Sequence, residues 1–269
     1  MSPSQLSGGT PDPVARPDTL TRAAAAAAID AEGTTEAAWD AYKLPCRLPQ
    51  QDLPNDGPVL VVSAHPDDEV LGFGGTMAAL LAAGITVHTL CLTDGEASHG
   101  DTTPQRKTRL AARRRDELAR ALGVLGAAAP TVHLALPDTG VDEHEDTAVT
   151  AVTSALATTG AVLCVAPWDG DLHSDHEAAG RAAGRAAHAA GIALWSYPVW
   201  MWHWARPHDS RVPWHRAVVL PTTPTALQRK LAALECFESQ LRPRSPQTGP
   251  VLPPQEMAHH TRLFETVML

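Results

Sequence analysis

From residue 58 onward the chain alternates apolar runs of strand length with helix-patterned segments, and this alternation restricts the fold more than any other property. Runs at 58–64, 86–92, 131–135, 161–166, 193–199 and 215–220 carry the aliphatic residues of buried strands. Between and after them lie helical patterns at 74–83, 105–122, 145–158, 177–190 and 224–240, with Gly84, Gly123 and Gly191 where C-caps belong. Strands separated by helices predict an α/β, Rossmann-like fold: a mostly parallel sheet with helices on both faces, in a single domain. In such sheets ligands bind in the crevice beyond the strand ends. Residues 1–18, rich in Pro, Ser, Gly and Thr, are expected to be disordered or loosely packed. Residues 19–55 read as a helical arm and a Pro-rich connector, and residues 56–269 as the main domain. The tail 241–269 shows no clear pattern.

Composition excludes several function classes. The 269 residues are 44% apolar, enough for a full hydrophobic core, and carry a net charge of −9. An acidic chain is poorly suited to nucleic acid or to an anionic membrane surface. The alanine run at 23–28 is too short and too weakly apolar for a signal or a membrane span. Cys46, Cys91, Cys164 and Cys236 are far apart, with no CxxC, so a cysteine-ligated zinc is unsupported. Isolated, strand-embedded cysteines suit a reducing cytoplasm. A homo-oligomer is compatible with the sequence.

Two polar clusters interrupt this background. Ala64-His65-Pro66-Asp67-Asp68-Glu69 follows the first apolar run, and His173-Ser174-Asp175-His176 follows the run at 161–166 and the turn Pro167-Trp168-Asp169-Gly170. Placing three acids and a histidine at a strand end is costly unless a divalent cation compensates. Neighbouring strand ends would bring His65, Asp68 and His176 round one ion. Two histidines and a carboxylate suit Zn2+ with a position left for water. Asp67 would then be free to act as general base. Asp175 would favour the imidazolium form of His173, which could stabilise an oxyanion and protonate a leaving amine. Together these groups describe hydrolysis of an amide, with a bell-shaped pH–rate profile. The same ligand set also suits a two-His-one-carboxylate iron oxygenase, although those enzymes usually need an all-β barrel. A non-catalytic carbohydrate-binding protein is a third reading, but it would need neither base nor acid.

The two clusters resemble those of the PIG-L/LmbE-type zinc-dependent N-acetylglucosaminyl deacetylases. The resemblance runs from about residue 58 to about 240. It includes Gly74-Gly75, Leu92-Thr93-Asp94-Gly95-Glu96, Arg114-Arg115-Asp116-Glu117-Leu118 and Ser239-Gln240. It implies His65, Asp68 and His176 as zinc ligands, Asp67 as base, and His173, tuned by Asp175, as the electrophilic or acid residue. It also implies an N-acetylated amino-sugar conjugate as substrate, with an amidase of a sugar-thiol conjugate as the alternative. One departure is Phe237, where the family often has histidine.

Other signals are weaker. Gly72-Phe73-Gly74-Gly75 fails as a dinucleotide fingerprint, because the third glycine would fall at Met77. Those glycines fit close helix–strand packing instead. Trp200, Trp202 and Trp204 would share one face if the segment were extended, forming either an aromatic wall for substrate or a core face. Arg114 is a candidate substrate contact, as are Asp94 and Glu96 in the loop after the second run. His203, His259 and His260 are expected to be exposed.

Overall fold

Val59–Ser63 forms β1, every residue of it buried, as expected of an aliphatic strand covered on both sides. The computed structural model describes residues 22–100, 103–245 and 247–269; the expectation for 1–18 lies outside them. β1 is followed by α3 (Asp68–Ala82), after an N-terminal arm of α1 (Arg22–Asp30) and α2 (Glu36–Tyr42). β2 (Val87–Thr93), α4 (Pro104–Leu125), β3 (Val132–Leu136), α5 (Glu145–Thr159), β4 (Leu163–Pro167), α6 (Ser174–Ala190) and β5 (Ala193–Tyr197) continue the alternation. The chain then adds α7 (Met201–Trp204), β6 (Ala217–Pro221), α8 (Pro224–Leu234), α9 (Glu238–Leu241), α10 (Pro254–His259) and β7 (Phe264–Met268).

Among the described residues the sheet has the order β3-β2-β1-β4-β5-β7-β6. β1 to β5 pair in parallel, and β7 runs antiparallel between β5 and β6. The order reverses between β1 and β4, which are paired in register from Val59 opposite Leu163. Their C-terminal ends therefore open side by side at the topological switch point, where α/β sheets bind ligands. Alternate β1 residues supply two cores. Val59 and Val61 pack with α3, α4 and α8 on one face, and Leu60 and Val62 with α5 and α6 on the other.

Two glycines set the helices close to the site. A Cβ on Gly72 would run into the Tyr197 ring, and one on Gly180 into the Pro167–Asp169 backbone. α3 and α6 can therefore approach the sheet closely, as the glycine-rich sequence after the first motif suggests.

The structure departs from expectation in several places. The arm is two helices, broken around Gly33. The helix expected at 224–240 is two helices, with Cys236 and Phe237 between them. The unpatterned tail contains β7, whose buried Glu265 accepts the Gly75 and Thr76 N–H groups (2.8 Å each) and pairs with Lys230 Nζ (2.7 Å). The expected tryptophan strand ends at Tyr197, and Trp202 and Trp204 lie on α7 within a third cluster built around Trp39 and Trp168. His203, His259 and His260 are buried rather than exposed. His203 bonds Glu256 and the Ala31 carbonyl, His259 bonds Glu36, and His260 bonds the Leu71 carbonyl. No helix of the described residues is long and apolar enough to cross a membrane.

Candidate metal centre and active site

The loop after β1 folds back on itself because Asp68, at the start of α3, accepts the main-chain N–H groups of Ala64 (3.1 Å) and His65 (2.8 Å). The same carboxylate faces two imidazoles. His65 Nδ1 lies 3.4 Å from Asp68 Oδ2, and His176 Nε2 lies 3.2 Å from Asp68 Oδ1. The two ring nitrogens are 3.3 Å apart. Ligands at about 2.0–2.1 Å from a tetrahedral zinc stand roughly 3.3–3.4 Å from one another. The three donors thus already have the spacing of one face of such a shell.

Each ring turns its other nitrogen to a carboxylate, the arrangement that fixes tautomer and orientation in metal sites. His65 Nε2 lies 3.1 Å from Asp175 and 3.2 Å from Asp138. His176 Nδ1 lies 2.8 Å from Asp171. These carboxylates are anchored in turn. Asp175 accepts N–H groups from Thr139 and Val141, and Asp171 accepts them from Val199, Trp200 and Met201. Two other sets converge, His65–His173–His176 and His65–Asp138–Asp175, each with donors within 4.8 Å of one another. The second uses the far edge of the His65 ring and a fully buried Asp175 that does not line the pocket. An ion there would lack an open position for substrate.

Electrostatics separate the roles. Burial opposes charge on His176, but Asp68 and Asp171 carry its pKa up to about 9. Asp68 is held well below the usual carboxylate range; burial works against this, and the His176 and His65 charges overcome it. Asp67, beside them, is pushed up to about 6 by burial, with Arg114 pulling it down and Asp68 adding to the rise. Arg114 Nη2 contacts Asp67 Oδ2 at 3.0 Å and the Pro66 carbonyl at 3.2 Å, while Nη1 bonds the Gly95 carbonyl at 3.0 Å. Glu69, behind them, rises to about 8 through burial and the Asp68 charge.

His173 differs from expectation. Its pKa falls to about 3, because burial and the neighbouring His176 and His65 charges outweigh Asp175. A cation held by those two histidines would act in the same direction. The Asp175 carboxylate is spent on His65 and the main chain, and only the Asp175 N–H meets His173, at Nδ1 (3.3 Å). An accepting Nδ1 leaves the proton of the neutral ring on Nε2. His173 is thus a neutral donor next to both candidate ligands, with ring centroids 4.8 Å from His65 and 4.6 Å from His176.

One pocket is lined by His65, Asp67, Asp68, Arg114, His173, His176 and Trp200. The sequence-predicted residues outside it have structural partners. Asp94 is paired with Arg115, Glu96 accepts the Asp138 N–H at 3.1 Å, and Trp202 lies in the tryptophan core under Arg262. They do not stand as substrate contacts here. Sequence reasoning missed Asp138 and Asp171. Both follow the pattern that found the others, an acid just beyond a strand end, in Pro137-Asp138-Thr139 and Asp169-Gly170-Asp171. The four cysteines are free thiols, with Cys91 and Cys164 buried as expected.

Residues 60–187 match the family described as PIG-L: GlcNAc-PI de-N-acetylase. The chain is 32% identical over 175 residues to the 1D-myo-inositol 2-acetamido-2-deoxy-alpha-D-glucopyranoside deacetylase of Rhodococcus erythropolis, covering 54% of this chain and 60% of that protein. It spans about three-fifths of the length of the first curated relatives it matches, at 60%, 57% and 58%. Among solved structures, N,N'-diacetylchitobiose deacetylase from Pyrococcus horikoshii aligns with a TM-score of 0.55 at 22% identity, over 79% of this chain and 77% of that one. The 4-carboxy-2-hydroxymuconate hydratase GalB of Pseudomonas putida KT2440 gives the same TM-score and identity, over 69% and 80%. The shared architecture thus accompanies two reactions, and the likeness establishes the fold alone. From residue 60 to residue 187, the chain is a PIG-L family domain.

Proposed function

We propose that this protein is a zinc-dependent N-deacetylase of an amino-sugar conjugate, releasing acetate and a free amine. The observation that carries the reading is the convergence of His65, Asp68 and His176 at tetrahedral-edge spacing, beside a pocket that also holds Asp67 and His173. The donor set of two imidazoles and one carboxylate, each ring backed by an acid, fits zinc. When bound, the ion would supply a Lewis acid for the amide carbonyl and lower the pKa of an adjacent water.

The chain's own groups do the rest. Asp67 takes a proton from the attacking water, and its value of about 6 keeps it ionised and basic at neutral pH. Arg114 fixes which way that carboxylate points, acting as a positioning residue. His173 donates its Nε2 proton to the oxygen that gains charge as the carbonyl is attacked. The leaving nitrogen then collects the proton that Asp67 removed. Trp200, at the mouth of the pocket, offers an aromatic face to the sugar. Four unpaired thiols suit a reducing compartment.

The relative from Rhodococcus erythropolis, named for an acetamido-sugar of inositol, supports the substrate class. The iron oxygenase reading is not favoured: a base and a neutral donor stand beside the ligands, on an α/β sheet. Elemental analysis of purified protein, with amine release measured over a panel of N-acetylglucosamine conjugates, tests the proposal. Stoichiometric zinc with acetate release is expected. Iron with oxygen uptake, or water addition to an unsaturated acid without amine release, would refute it.

A further inference from the structure

The pocket that holds the candidate ligands has a volume of about 120 Å³. Small-molecule sites usually span roughly 300–1,000 Å³, so the remainder of a conjugate must lie elsewhere. A second cavity of about 460 Å³ adjoins the first, and Thr139 and His173 line both. One wall is α1, which presents Ala25, Ala26 and Ile29. This helix lies outside residues 60–187, the segment shared with the family. The opposite wall is polar, with Asp142 and Glu177 on it. The one cation there, Arg181, is already engaged by Glu145, with both Nε and Nη2 at 2.9 Å.

We infer that the groove between α1 and the N-terminal turns of α6 binds the aglycone of the amino-sugar conjugate, and that it selects a neutral or cationic aglycone with an apolar face. The inference rests on the deacetylase reading for the sugar itself. Three observations support it: the groove continues from the pocket across His173, its α1 wall is apolar, and its polar wall carries acids with no spare cation. A phosphate-bearing aglycone would meet Asp142 and Glu177 without a free partner.

The test uses the full chain, zinc-loaded, and calorimetric binding of three probes: the methyl and octyl glycosides of N-acetylglucosamine, and N-acetylglucosamine 1-phosphate. The octyl glycoside is expected to bind at least about tenfold more tightly than the methyl glycoside, and the phosphate no more tightly than the methyl glycoside. Ala26→Trp, at an exposed helix position, should abolish the octyl advantage and leave methyl binding unchanged. Ile29→Ala, which opens the groove, should weaken octyl binding only severalfold. An octyl-to-methyl ratio unchanged in Ala26→Trp would overturn the inference. So would a tenfold gain in octyl affinity on deleting residues 1–20, since the chain's own N-terminus would then be the occupant. Octyl binding that depends on Ala26, together with no binding or deacetylation of the methyl glycoside, would uphold the groove and sink the amino-sugar reading.

Discussion

Two buried clusters of charge sit on opposite sides of α3, and they differ in how their charges are met. Around Lys230 and Glu265 each group has its partners: the ammonium meets Glu265 and the Leu71 carbonyl, and the carboxylate also takes two N–H groups from α3. Around His65 the groups compete. One imidazole is shared among Asp68, Asp138 and Asp175, Asp67 sits near 6, and His173 near 3. A saturated cluster can hold a fold together but has nothing left to offer a ligand. A competing cluster at a strand-end pocket is where a cation lowers the energy and where chemistry becomes available.

The sharpest way to break this comparison is to remove a donor. His65→Ala or Asp68→Ala should lose the metal and take turnover to background, read by elemental analysis and acetate release; a variant that keeps stoichiometric zinc would refute the ligand set. Next in size, Asp67→Asn should keep the metal and lower kcat by about 10²–10⁴. The wild-type pH–rate profile should rise through the Asp67 pKa, near 6 or lower once a cation is bound. No alkaline limb is expected from His173, in contrast to the bell shape anticipated from the sequence. In the saturated cluster the effect should be on stability. Lys230→Met leaves Glu265 without its cation and should cost about 3–5 kcal/mol by denaturant unfolding, with metal content unchanged.

A pH titration sharpens the contrast further. His176 is raised in the folded protein, so its protonation stabilises the metal-free fold below about pH 6.5. That contribution should be lost as pH rises toward 9. Zinc must displace this proton, so its affinity should increase over the same window and its uptake should release protons. A metal-free Tm that is flat from pH 6.5 to 9, with pH-independent affinity, would contradict the assignment. The smallest effect separates the two tryptophans. Trp200→Ala should raise KM severalfold with little change in Tm, whereas Trp202→Ala should cost about 3–5 kcal/mol of stability and spare KM.

Much of the catalytic edge was legible because it is local. Each motif places its side chains within one helical turn directly after an aliphatic strand, so chain order alone put His65 and Asp68 together, and His173 and His176 together. Partners that meet through distant contacts were not legible. Asp138 and Asp171 acquire their roles only when the ends of β3 and β4 fold next to His65 and His176. Asp94 and Glu96 were read as substrate contacts because their loop lies at the right end of the sheet, but Arg115 and the Asp138 N–H take them. Trp202 was drawn into the core by Trp39 from the arm, a pairing far apart in sequence. β7 escaped detection because five residues with a central acid do not look like a buried strand until Lys230 and the α3 N–H groups accept that acid.

The amino-acid sequence by itself determined the α/β alternation, the strand-end position of both motifs and the kinds of donor they offer, since these follow from nearest-neighbour patterning along the chain. Only the tertiary structure decided which carboxylates orient the histidines, the charge state of His173, and which of the aromatic and acidic side chains reach the pocket. Those properties depend on burial and on the fields of residues brought close by sheet order, and neither is written in the spacing of residues along the chain.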